Sequence, residues 1–393
     1  MTLQAAIQTS NAAETVLTNA RCVLGDRVID GSVVLRGDRI ARVDEGPCAL
    51  ASAIDCDGDY LLPGLVELHT DNVERHITPR PGVVWPSGPA LLAHDAEITA
   101  AGITTVFDAL RLGELRGDRD NDYIREVMTI VAAIETARER GAFRADHRLH
   151  FRCELSCDNT DREFDRFAAH PLLRLVSVMD HTPGQRQFAD TSKYRQYYQG
   201  KYGLTDAEMD AFMENACQSQ ARNSVRNRRH IVAGCHARNI PLASHDDATP
   251  AHVDEALSDG VAVAEFPTTV AAARLARENG MMVLMGAPNL VRGGSHSGNV
   301  SAIELARHGL LDVLSSDYIP MSLIHAAFML ADSDAPCDLA AAVRTVSRAP
   351  ALGVGLDDRG EIAEGLRADL VRVRRMGDTE VVRTVWVGGE RVA

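Results

Sequence analysis

Short apolar runs alternate with helix-like stretches through the middle of the chain. The runs are rich in Val, Ile and Leu, and the stretches between them repeat their apolar residues at helical spacing, which is typical of βα units on a parallel sheet. Eight runs follow one another, and eight strands close a TIM-like (β/α)8 barrel, so the pattern predicts an α/β protein of that kind. The predicted strands read GLVELHT, ITTVFDA, RLHFRCELS, LRLVSVMDH, IPLASHDD, VAVAEFPTT, MMVLMGAP and LDVLSSDY.

One long helix of the outer layer is predicted over residues 123–141. Its apolar residues recur every three or four positions, so one face should pack on the barrel. Gly141 follows the last of them and suits a helix end, because glycine readily adopts the left-handed conformation found there. The predicted buried positions are Ile124, Val127, Met128, Val131 and Ile134.

Both ends of the chain carry short β-rich runs separated by Gly and Asp, the residues that turn strands around. VLTNARCVLG and GSVVLRGDRIARVD lie near the start, and RADLVRVRR and EVVRTVWVGGERVA lie near the end. We expect these ends to pair as a small β-sandwich domain. The predicted division is residues 1–62 with 357–393 for this domain and 63–356 for the barrel.

Composition and charge exclude several classes of protein. The net charge of -14 argues against nucleic acid as a partner, since that binding depends on Lys and Arg neutralising phosphates. We find no signal peptide, and no apolar stretch of the roughly 18 residues needed to span a membrane. The 8 cysteines are scattered without a CxxC pair, which favours reduced thiols. We therefore expect a cytoplasmic protein without a membrane or nucleic-acid partner.

Side chains that can bind metals recur where the predicted strands end. The active site of such a barrel is built at the carboxyl ends of its strands, so these side chains should converge. Residues two apart on a strand share a face, which lets His69 and Asp71 point at one cation. Imidazole and carboxylate suit zinc, manganese, iron or nickel. Along the chain the positions are His69, Asp71, Glu154, His181, His245, Asp246, Glu265 and Asp317.

Each position also has a purely structural explanation when taken alone. An HxD pair is often only hydrogen-bonded, His181 or His245 could be a core histidine, and Asp317 could cap a following helix. Recurrence at one topological position on several strands favours the metal site over these explanations. A further carboxylate, for which Glu154 is the candidate, could bridge two ions about 3.5 to 4 Å apart.

A basic segment stands out in this acidic chain. Residues 184–201 read GQRQFADTSKYRQYYQGK and carry four cations against one acid. Arg186, Lys193 and Lys201 are therefore candidates to bind phosphate groups of a substrate. A solvated helix face explains such a segment equally well.

The connection that contains this segment is long. Residues 185–230 exceed the roughly 2 to 6 residues usual between a strand and a helix. Thr205 and Glu208 have the spacing of a capping box, which predicts a helix start. We expect this insertion to act as a lid.

A glycine-rich segment, PNLVRGGSHSGN, follows the seventh predicted strand. Plain turns are the commoner explanation for such glycines, but this place in a barrel is a frequent phosphate-binding region. Arg292 and His296 lie in the segment and are candidate substrate ligands. Further candidates, which follow the first strand, are Arg75, His76 and Arg80.

Longer motifs cover almost the whole chain, and several are too long for chance agreement. They are LPGLVELHTDN, TPRP, GITTVFDA, ADHRLHFRCELS, SVMDHTPGQRQF, YYQGKYGLTDAEM, LASHDDATPAHV, AEFPTT, MGAPNLVRGGSHSGNVSA, LSSDY and DRGEIAEGLRADLV. On these motifs the chain resembles the amidohydrolase superfamily. Within it, the chain is similar to the ribose methylphosphonate triphosphate diphosphatases of the bacterial carbon–phosphorus lyase pathway.

The resemblance implies a barrel with a small β domain and a mouth that binds one or two divalent metal ions. It also implies a phosphorylated sugar as substrate, namely a ribose 5-triphosphate with a methylphosphonate at C1, which is hydrolysed to the 5-phosphate and pyrophosphate. Asp71 departs from the wider superfamily, which usually has HxH where this chain has HTD, so the number and identity of the ions stay open. The implied metal ligands are His69, Asp71, Glu154, His181, His245 and Asp317.

Asp317 suits the general base of that reaction. A metal ion lowers the pKa of the water it binds, and the hydroxide would attack the α-phosphorus in line with departing pyrophosphate. Two other interpretations stay open. An amidohydrolase that cleaves a C–N bond, as a deaminase or deacetylase, would leave the basic segment unexplained, and a non-catalytic binding protein would not need so complete a set of ligands. Homo-oligomerisation is also left open.

Overall fold

Strands and helices alternate through the middle of the molecule. The computed structural model describes residues 14–114, 120–188, 190–295 and 298–393, with the backbone alone for 120–122. The strands in these residues are β1 (Glu14–Val23), β2 (Val28–Arg36), β3 (Arg39–Glu45), β4 (Ile54–Asp55), β5 (Tyr60–Pro63), β6 (Leu65–Thr70), β7 (Ile103–Leu112), β8 (Asp146–Glu154), β9 (Leu173–Met179), β10 (Leu242–His245), β11 (Val263–Glu265), β12 (Met282–Gly286), β13 (Val313–Ser315), β14 (Leu370–Met376), β15 (Thr379–Val387) and β16 (Glu390–Arg391).

The helices surround the middle strands, and a short 3-10 turn covers Arg186–Phe188. They are α1 (Asn72–Ile77), α2 (Ser87–Ala100), α3 (Asp120–Glu139), α4 (Thr160–Phe167), α5 (Thr191–Tyr202), α6 (Asp206–His236), α7 (Pro250–Ser258), α8 (Val270–Glu278), α9 (Ala287–Val291), α10 (Ala302–Arg307), α11 (Ser322–Asp332), α12 (Leu339–Arg344) and α13 (Arg348–Gly353).

The two ends of the chain share one mixed sheet, as predicted. Its hydrogen-bonded order is β16-β15-β14-β5-β1-β2-β3, and β4 pairs with β1. Ile40 on β3 and Trp386 on β15 lie far apart in this order, yet they belong to one buried apolar cluster. The sheet therefore folds back over its own core as a single continuous sheet.

The strands β6 to β13 form the predicted parallel barrel, each paired with its neighbour in chain order. Thr70 forms a parallel bridge with Asp317, which closes the ring at the carboxyl ends of the strands. At the opposite end, residues 345–346 lie between β6 and β13 and accept backbone hydrogen bonds from both. The strand count is confirmed, since His181 follows the fourth barrel strand and His245 ends the fifth.

The long outer helix α3 packs on the barrel with the predicted face. Ile124, Val127, Val131 and Ile134 are buried in the main core. Met128 is the exception, because its side chain is 44% exposed. Met128 follows Val127 directly and so lies outside the buried stripe that contains Val127 and Val131. Ile130 is buried on that face instead.

The barrel interior is filled below its mouth by side chains of alternating strand positions. Ala351 and Val354, at the end of α13, join this cluster and plug the amino-terminal end of the barrel. With the lower end filled, the mouth is where a ligand can enter. The strand residues of the interior cluster are Val66, Leu68, Phe107, Leu175, Ala243, Val263, Leu284 and Val313.

No helix in the described part of the chain is long and apolar enough to cross a membrane.

The long connection after β9 forms two helices, α5 and α6. Thr205 and Glu208 make the predicted capping box at the start of α6, since each side chain bonds the other's backbone N–H. The aromatic residues Phe188, Tyr194 and Tyr198 pack with α6 in a small core of their own. The segment is therefore a compact helical unit with its own apolar contacts.

Candidate active site

The mouth of the barrel opens into a cavity of about 780 Å³. Its lining combines acidic and imidazole side chains with basic ones. We call the first set, His69, Asp71, Glu74, His181, His245, Asp246 and Asp317, the acidic part of the cavity, and the second, Arg111, Arg152, Lys193, Lys201 and Arg292, the basic wall. The backbone segments that carry them are the carboxyl ends of the barrel strands, helices α1 and α5 and the glycine-rich segment after β12.

Three imidazoles at the mouth each have their Nδ1 held by a buried carboxylate. Nδ1 of His181 lies 2.8 Å from Glu154 Oε2, and Nδ1 of His69 lies 3.1 Å from Glu265 Oε1. The other oxygen of Glu265 lies 3.3 Å from Nδ1 of His245. Metal-binding histidines usually have this arrangement, because the carboxylate fixes the ring and leaves Nε2 to bind the ion.

Nε2 of two of these rings converges on one carboxylate. Asp246 Oδ2 lies 3.4 Å from Nε2 of His245 and 3.6 Å from Nε2 of His181. These separations exceed a normal N–H···O hydrogen bond, whose length is about 2.7 to 3.2 Å. Burial alone would lower the pKa of His181, but Glu154 and Asp246 outweigh it and raise that pKa to about 9. The two carboxylates that stabilise the protonated form of His181 would also attract a divalent cation.

Two further carboxylates face the same part of the cavity. Burial, followed by the charge of Asp71, raises the pKa of Asp317 to about 7. Among the described residues, the nearest cationic group to Asp71 is Arg152, with 3.9 Å between Arg152 Nη1 and Asp71 Oδ2. Several carboxylates and imidazoles thus meet with few cationic groups to neutralise them. These side chains therefore fit the ligand set of a divalent metal centre.

The backbone is left-handed within two residues after three strands at this mouth. The φ angles are +58° at Asp246, +52° at Phe266 and +54° at Asp317. Residues other than glycine rarely adopt this conformation, and such strain clusters at functional sites. At Asp246 the turn also brings into the cavity a side chain that strict alternation would place opposite His245.

The basic wall contains both lysines of the chain. The sequence has only two lysines, Lys193 and Lys201, and both lie on α5 and line the cavity. Nζ of Lys193 lies against Gly298, where a β-carbon would come within 3.1 Å of it. Eight residues of helix span about 12 Å, so α5 extends these two amines over a wide part of the mouth.

The structure places some predicted residues away from the cavity lining. The Arg186 guanidinium is buried and donates hydrogen bonds to Asp247 and to Glu255. The distance to Glu255 Oε2 is 2.9 Å. Arg80 is exposed and pairs with Val83 through a backbone bridge, outside the cavity lining.

Three other sequence candidates have defined places. Glu154 is fully buried behind His181 and contacts the ring of that residue rather than lining the cavity. His76 bonds Glu97 at 2.7 Å rather than facing the mouth. His296 lies outside the described residues.

Sequence patterns gave no role to several residues that the structure brings to the site. Asp246 and Glu265 were noted only by position, and His150 and Arg152 were not singled out. For His150 and Arg152 a signal was present in RLHFRCELS, where His150, Arg152 and Glu154 alternate along β8 and so share one face. His150 bonds the Leu68 carbonyl at 2.9 Å and also contacts Ser177, which donates to Glu265.

A second cluster of titratable groups lies outside the barrel, between α2 and strands β7 and β8. Asp108 binds His94 Nε2 with one oxygen and His147 Nδ1 with the other, each at 2.8 Å. Asp95 also approaches His147, with 3.4 Å between Oδ1 and Nε2. Burial alone would lower the pKa of His147, but these two carboxylates raise it to about 9. The cluster is a buried salt-bridge network distinct from the mouth.

The fold and the site together define a class of protein. A parallel barrel carrying a β domain from both chain ends, with imidazoles and carboxylates at its mouth, is the architecture of an amidohydrolase. The model of the Amidohydrolase family matches residues 166–393. The alpha-D-ribose 1-methylphosphonate 5-triphosphate diphosphatase of Escherichia coli (strain K12) is 50% identical over 378 residues, which are 96% of this chain and 100% of that protein. The chain therefore belongs to the amidohydrolase family, and the resemblance seen in its motifs is confirmed.

Solved structures support the fold. N-isopropylammelide isopropylaminohydrolase from Burkholderia multivorans matches with a TM-score of 0.63 and 19% identity, covering 96% of this chain and 98% of that chain. The 5-methylcytosine deaminase from Klebsiella pneumoniae matches with a TM-score of 0.64 and 15% identity, covering 96% and 97%. At these identities the likeness concerns the fold alone. The predicted α/β barrel with its small β domain is confirmed, as is the expectation of an enzyme of this hydrolase family.

Proposed function

We propose that this enzyme hydrolyses α-D-ribose 1-methylphosphonate 5-triphosphate to the 5-phosphate and pyrophosphate, in phosphonate catabolism by the carbon–phosphorus lyase pathway. The relative in Escherichia coli, which carries the corresponding name, shares half of its residues with this chain. The observation that carries the proposal is that acidic and imidazole side chains and several cations line the same cavity. A polyphosphate substrate needs both, since cations bind its charge and metal ligands serve its hydrolysis.

The acidic part would hold one or two divalent ions, drawn from zinc, manganese, iron and nickel. The proposed ligands are His69, Asp71, His181, His245 and Asp317, with Asp246 added because it lines the same cavity. Glu154, also predicted as a ligand, contacts His181 instead. When bound, such an ion supplies Lewis-acid polarisation of a phosphoryl oxygen and acidifies water. Glu154 and Glu265 orient the imidazoles through the contacts already described.

Asp317 is the proposed general base. Its carboxylate takes a proton from the water whose oxygen forms a new bond to the α-phosphorus, while the bond from that phosphorus to the bridging oxygen of pyrophosphate breaks. The pKa of Asp317 near 7 suits a group that must accept a proton at neutral pH. The raised pKa results from burial and from the charge of Asp71.

The basic wall binds and orients the substrate in this proposal. Lys193, Lys201 and Arg292 are placed to contact its phosphate and phosphonate groups. Helix α5 carries both lysines, so closure of the α5 and α6 segment would bring these charges onto the substrate and exclude bulk water. Arg186 instead donates hydrogen bonds to Asp247 and Glu255 and so stabilises the segment after β10.

The proposal is tested by identifying the products. The enzyme is supplied with α-D-ribose 1-methylphosphonate 5-triphosphate and each of the four metals in turn, and the reaction is followed by phosphorus NMR. We expect one equivalent of pyrophosphate for each 5-phosphate formed. Orthophosphate as the released product, or no turnover with any metal, would contradict the proposal.

The alternative, cleavage of a C–N bond, has a separate outcome. Ammonia release from nucleobases or acetate release from acetylated amino sugars, without pyrophosphate release from the triphosphate, would favour a deaminase or deacetylase. The basic wall would then lack a function in catalysis.

We also propose that the enzyme works in the cytoplasm. The eight cysteines are free thiols and most of them are buried, which suits a reducing compartment. The thiols would be tested by alkylation of freshly lysed cells, where we expect complete labelling after unfolding and no disulfide-linked peptides.

A further inference from the structure

Arg152 is the member of the basic wall that lies beside the carboxylate of Asp71. It stands on β8 between His150 and Glu154, with its side chain on the face that lines the cavity. Its neighbour across the sheet is Arg111, which is in register with it on β7 and also lines the cavity. Two arginines therefore stand side by side at the mouth, and like charges directly opposite each other on a sheet destabilise it.

The two arginines differ in how their charge is neutralised. Arg111 donates to Glu114 at 3.0 Å, and its guanidinium lies 5.1 Å from the ring centre of Tyr123. Arg152 makes no side-chain hydrogen bond to any group in the described part of the chain. Its nearest carboxylate oxygen there, on Asp71, is 3.9 Å away.

This lack of partners is costly because the side chain is largely buried. Only 17% of the Arg152 side chain is exposed, and its Nε is fully buried with no hydrogen-bond partner among the described residues. A buried donor without an acceptor destabilises the folded protein. A guanidinium has five N–H donors and no acceptor, so an anion would satisfy it best.

We infer that Arg152 binds the oxygen atoms of the phosphoryl group under attack, and so is a catalytic residue of the hydrolysis. The inference rests on the proposed function and adds a residue to its machinery. A guanidinium can donate two parallel hydrogen bonds to two phosphoryl oxygens, whereas an ammonium group cannot bind in this bidentate way.

The position of Arg152 indicates that it contacts the attacked phosphoryl group rather than the remote phosphonate. Its nearest acid is Asp71, and its charge acts on Asp246 and Asp317 from the acidic part of the cavity. The lysines approach from α5, above the mouth. Arg152 therefore lies closest to the place where the water oxygen bonds to the α-phosphorus and pyrophosphate departs, and where charge builds up on the equatorial oxygens.

The first test compares Arg152→Gln, Arg152→Lys and a charge-matched control, Arg174→Gln. Arg174 is exposed at the start of the neighbouring strand β9, away from the cavity lining. We expect Arg152→Gln to lower kcat by about 10²- to 10³-fold with a smaller change in KM, because the contact strengthens in the transition state. Arg152→Lys should recover part of this loss, and Arg174→Gln should match the parent enzyme.

The metal content of each variant is measured alongside kcat. Arg152→Gln should bind metal at least as well as the parent, since a cation is removed from the neighbourhood of the carboxylates. Activity within threefold of the parent, or a loss explained by missing metal, would overturn the inference.

The second test does not depend on turnover. Binding of inorganic pyrophosphate to the metal-free protein is measured by calorimetry and by the shift in Tm. We expect Arg152→Gln to bind pyrophosphate at least tenfold more weakly than the parent, because the guanidinium that receives the anion has been removed. A lower Tm with unchanged pyrophosphate binding would give Arg152 a structural role instead.

The two tests separate failure of the inference from failure of the proposed function. If the parent enzyme releases no pyrophosphate from the ribose triphosphate, the proposed function fails and the catalytic role of Arg152 fails with it. If the parent turns over normally and Arg152→Gln does too, only the inference about Arg152 fails.

Discussion

At the scale of single residues, the mouth of the barrel contains carboxylates with different partners and therefore different tasks. Asp317 has a pKa raised to about 7 by burial and by Asp71. Glu154, although buried, has its pKa lowered by the charge and hydrogen bonds of His181. The first is suited to exchange a proton, and the second to remain ionised and hold a ring in place.

Asp317→Asn should separate chemistry from metal binding. The amide keeps the shape of the side chain but cannot accept the proton of the attacking water, so we expect bound metal to remain while kcat falls by about 10²- to 10⁴-fold. Metal content by elemental analysis and steady-state kinetics check this. A fully active variant would remove Asp317 from the role of base.

Glu154→Gln should act through His181. The neutral amide is a weaker partner for Nδ1, so we expect metal affinity to fall by about 10- to 100-fold and activity to be restored in part by excess metal. The matched control is Glu135→Gln, which removes a carboxylate that bonds His170 at 2.8 Å on the surface. Equal metal affinity in both variants would show that Glu154 does not support the site.

Residue roles were only partly predictable from the sequence. His69, Asp71, His181, His245 and Asp317 were found because each follows a predicted strand, and the structure brings them to one cavity. The inward turn of Asp246 depends on a left-handed φ that no local pattern specifies. The burial of Arg186 depends on Asp247 and Glu255, which lie about sixty residues further along the chain.

At the scale of elements, the α5 and α6 segment is the part of the mouth that we propose as a lid. The capping box and the insertion were predictable because Thr205 and Glu208 are a local signal. The way in which Tyr194 and Tyr198 pack with α6 was not, because it depends on contacts between helices.

Cleavage by a lysine-specific protease reports on this lid alone, since the two lysines of the chain both lie on α5. We expect pyrophosphate with a divalent metal to slow cleavage after Lys193 and Lys201 by about tenfold or more, because a bound anion would hold α5 closed. Cleavage of a Lys193→Arg variant follows Lys201 separately. Equal cleavage rates with and without ligand would contradict lid closure.

At the scale of the whole molecule, the network of Asp108 with His94 and His147 should make stability depend on pH. The folded pKa of His147 is about 9, above the ordinary value of 6.5. Its contribution is therefore fully present below about pH 6.5 and is lost as the pH rises through 9. The loss in the free energy of unfolding should be on the order of 3 kcal/mol.

Denaturant unfolding between pH 6.5 and pH 9.5 checks this dependence. We expect Asp108→Asn to be less stable than the parent at neutral pH and to lose little more as the pH rises. Asp165→Asn, which breaks an exposed pair with His230 at 2.8 Å, is the control and should keep the dependence of the parent. The same slope in Asp108→Asn and in the parent would contradict the account of the network.

The architecture was predictable because both of its signals are local. Eight apolar runs alternating with helices specify the barrel, and β-rich ends specify the small sheet. How the barrel closes was not predictable, since it depends on the bridge from Thr70 to Asp317 and on residues 345–346 filling the opposite end.

Hydrolysis in water labelled with ¹⁸O shows whether the mouth activates water to attack the α-phosphorus. With α-D-ribose 1-methylphosphonate 5-triphosphate and a divalent metal, we expect one labelled oxygen in the 5-phosphate and none in pyrophosphate. Label in pyrophosphate, or in released orthophosphate, would contradict it.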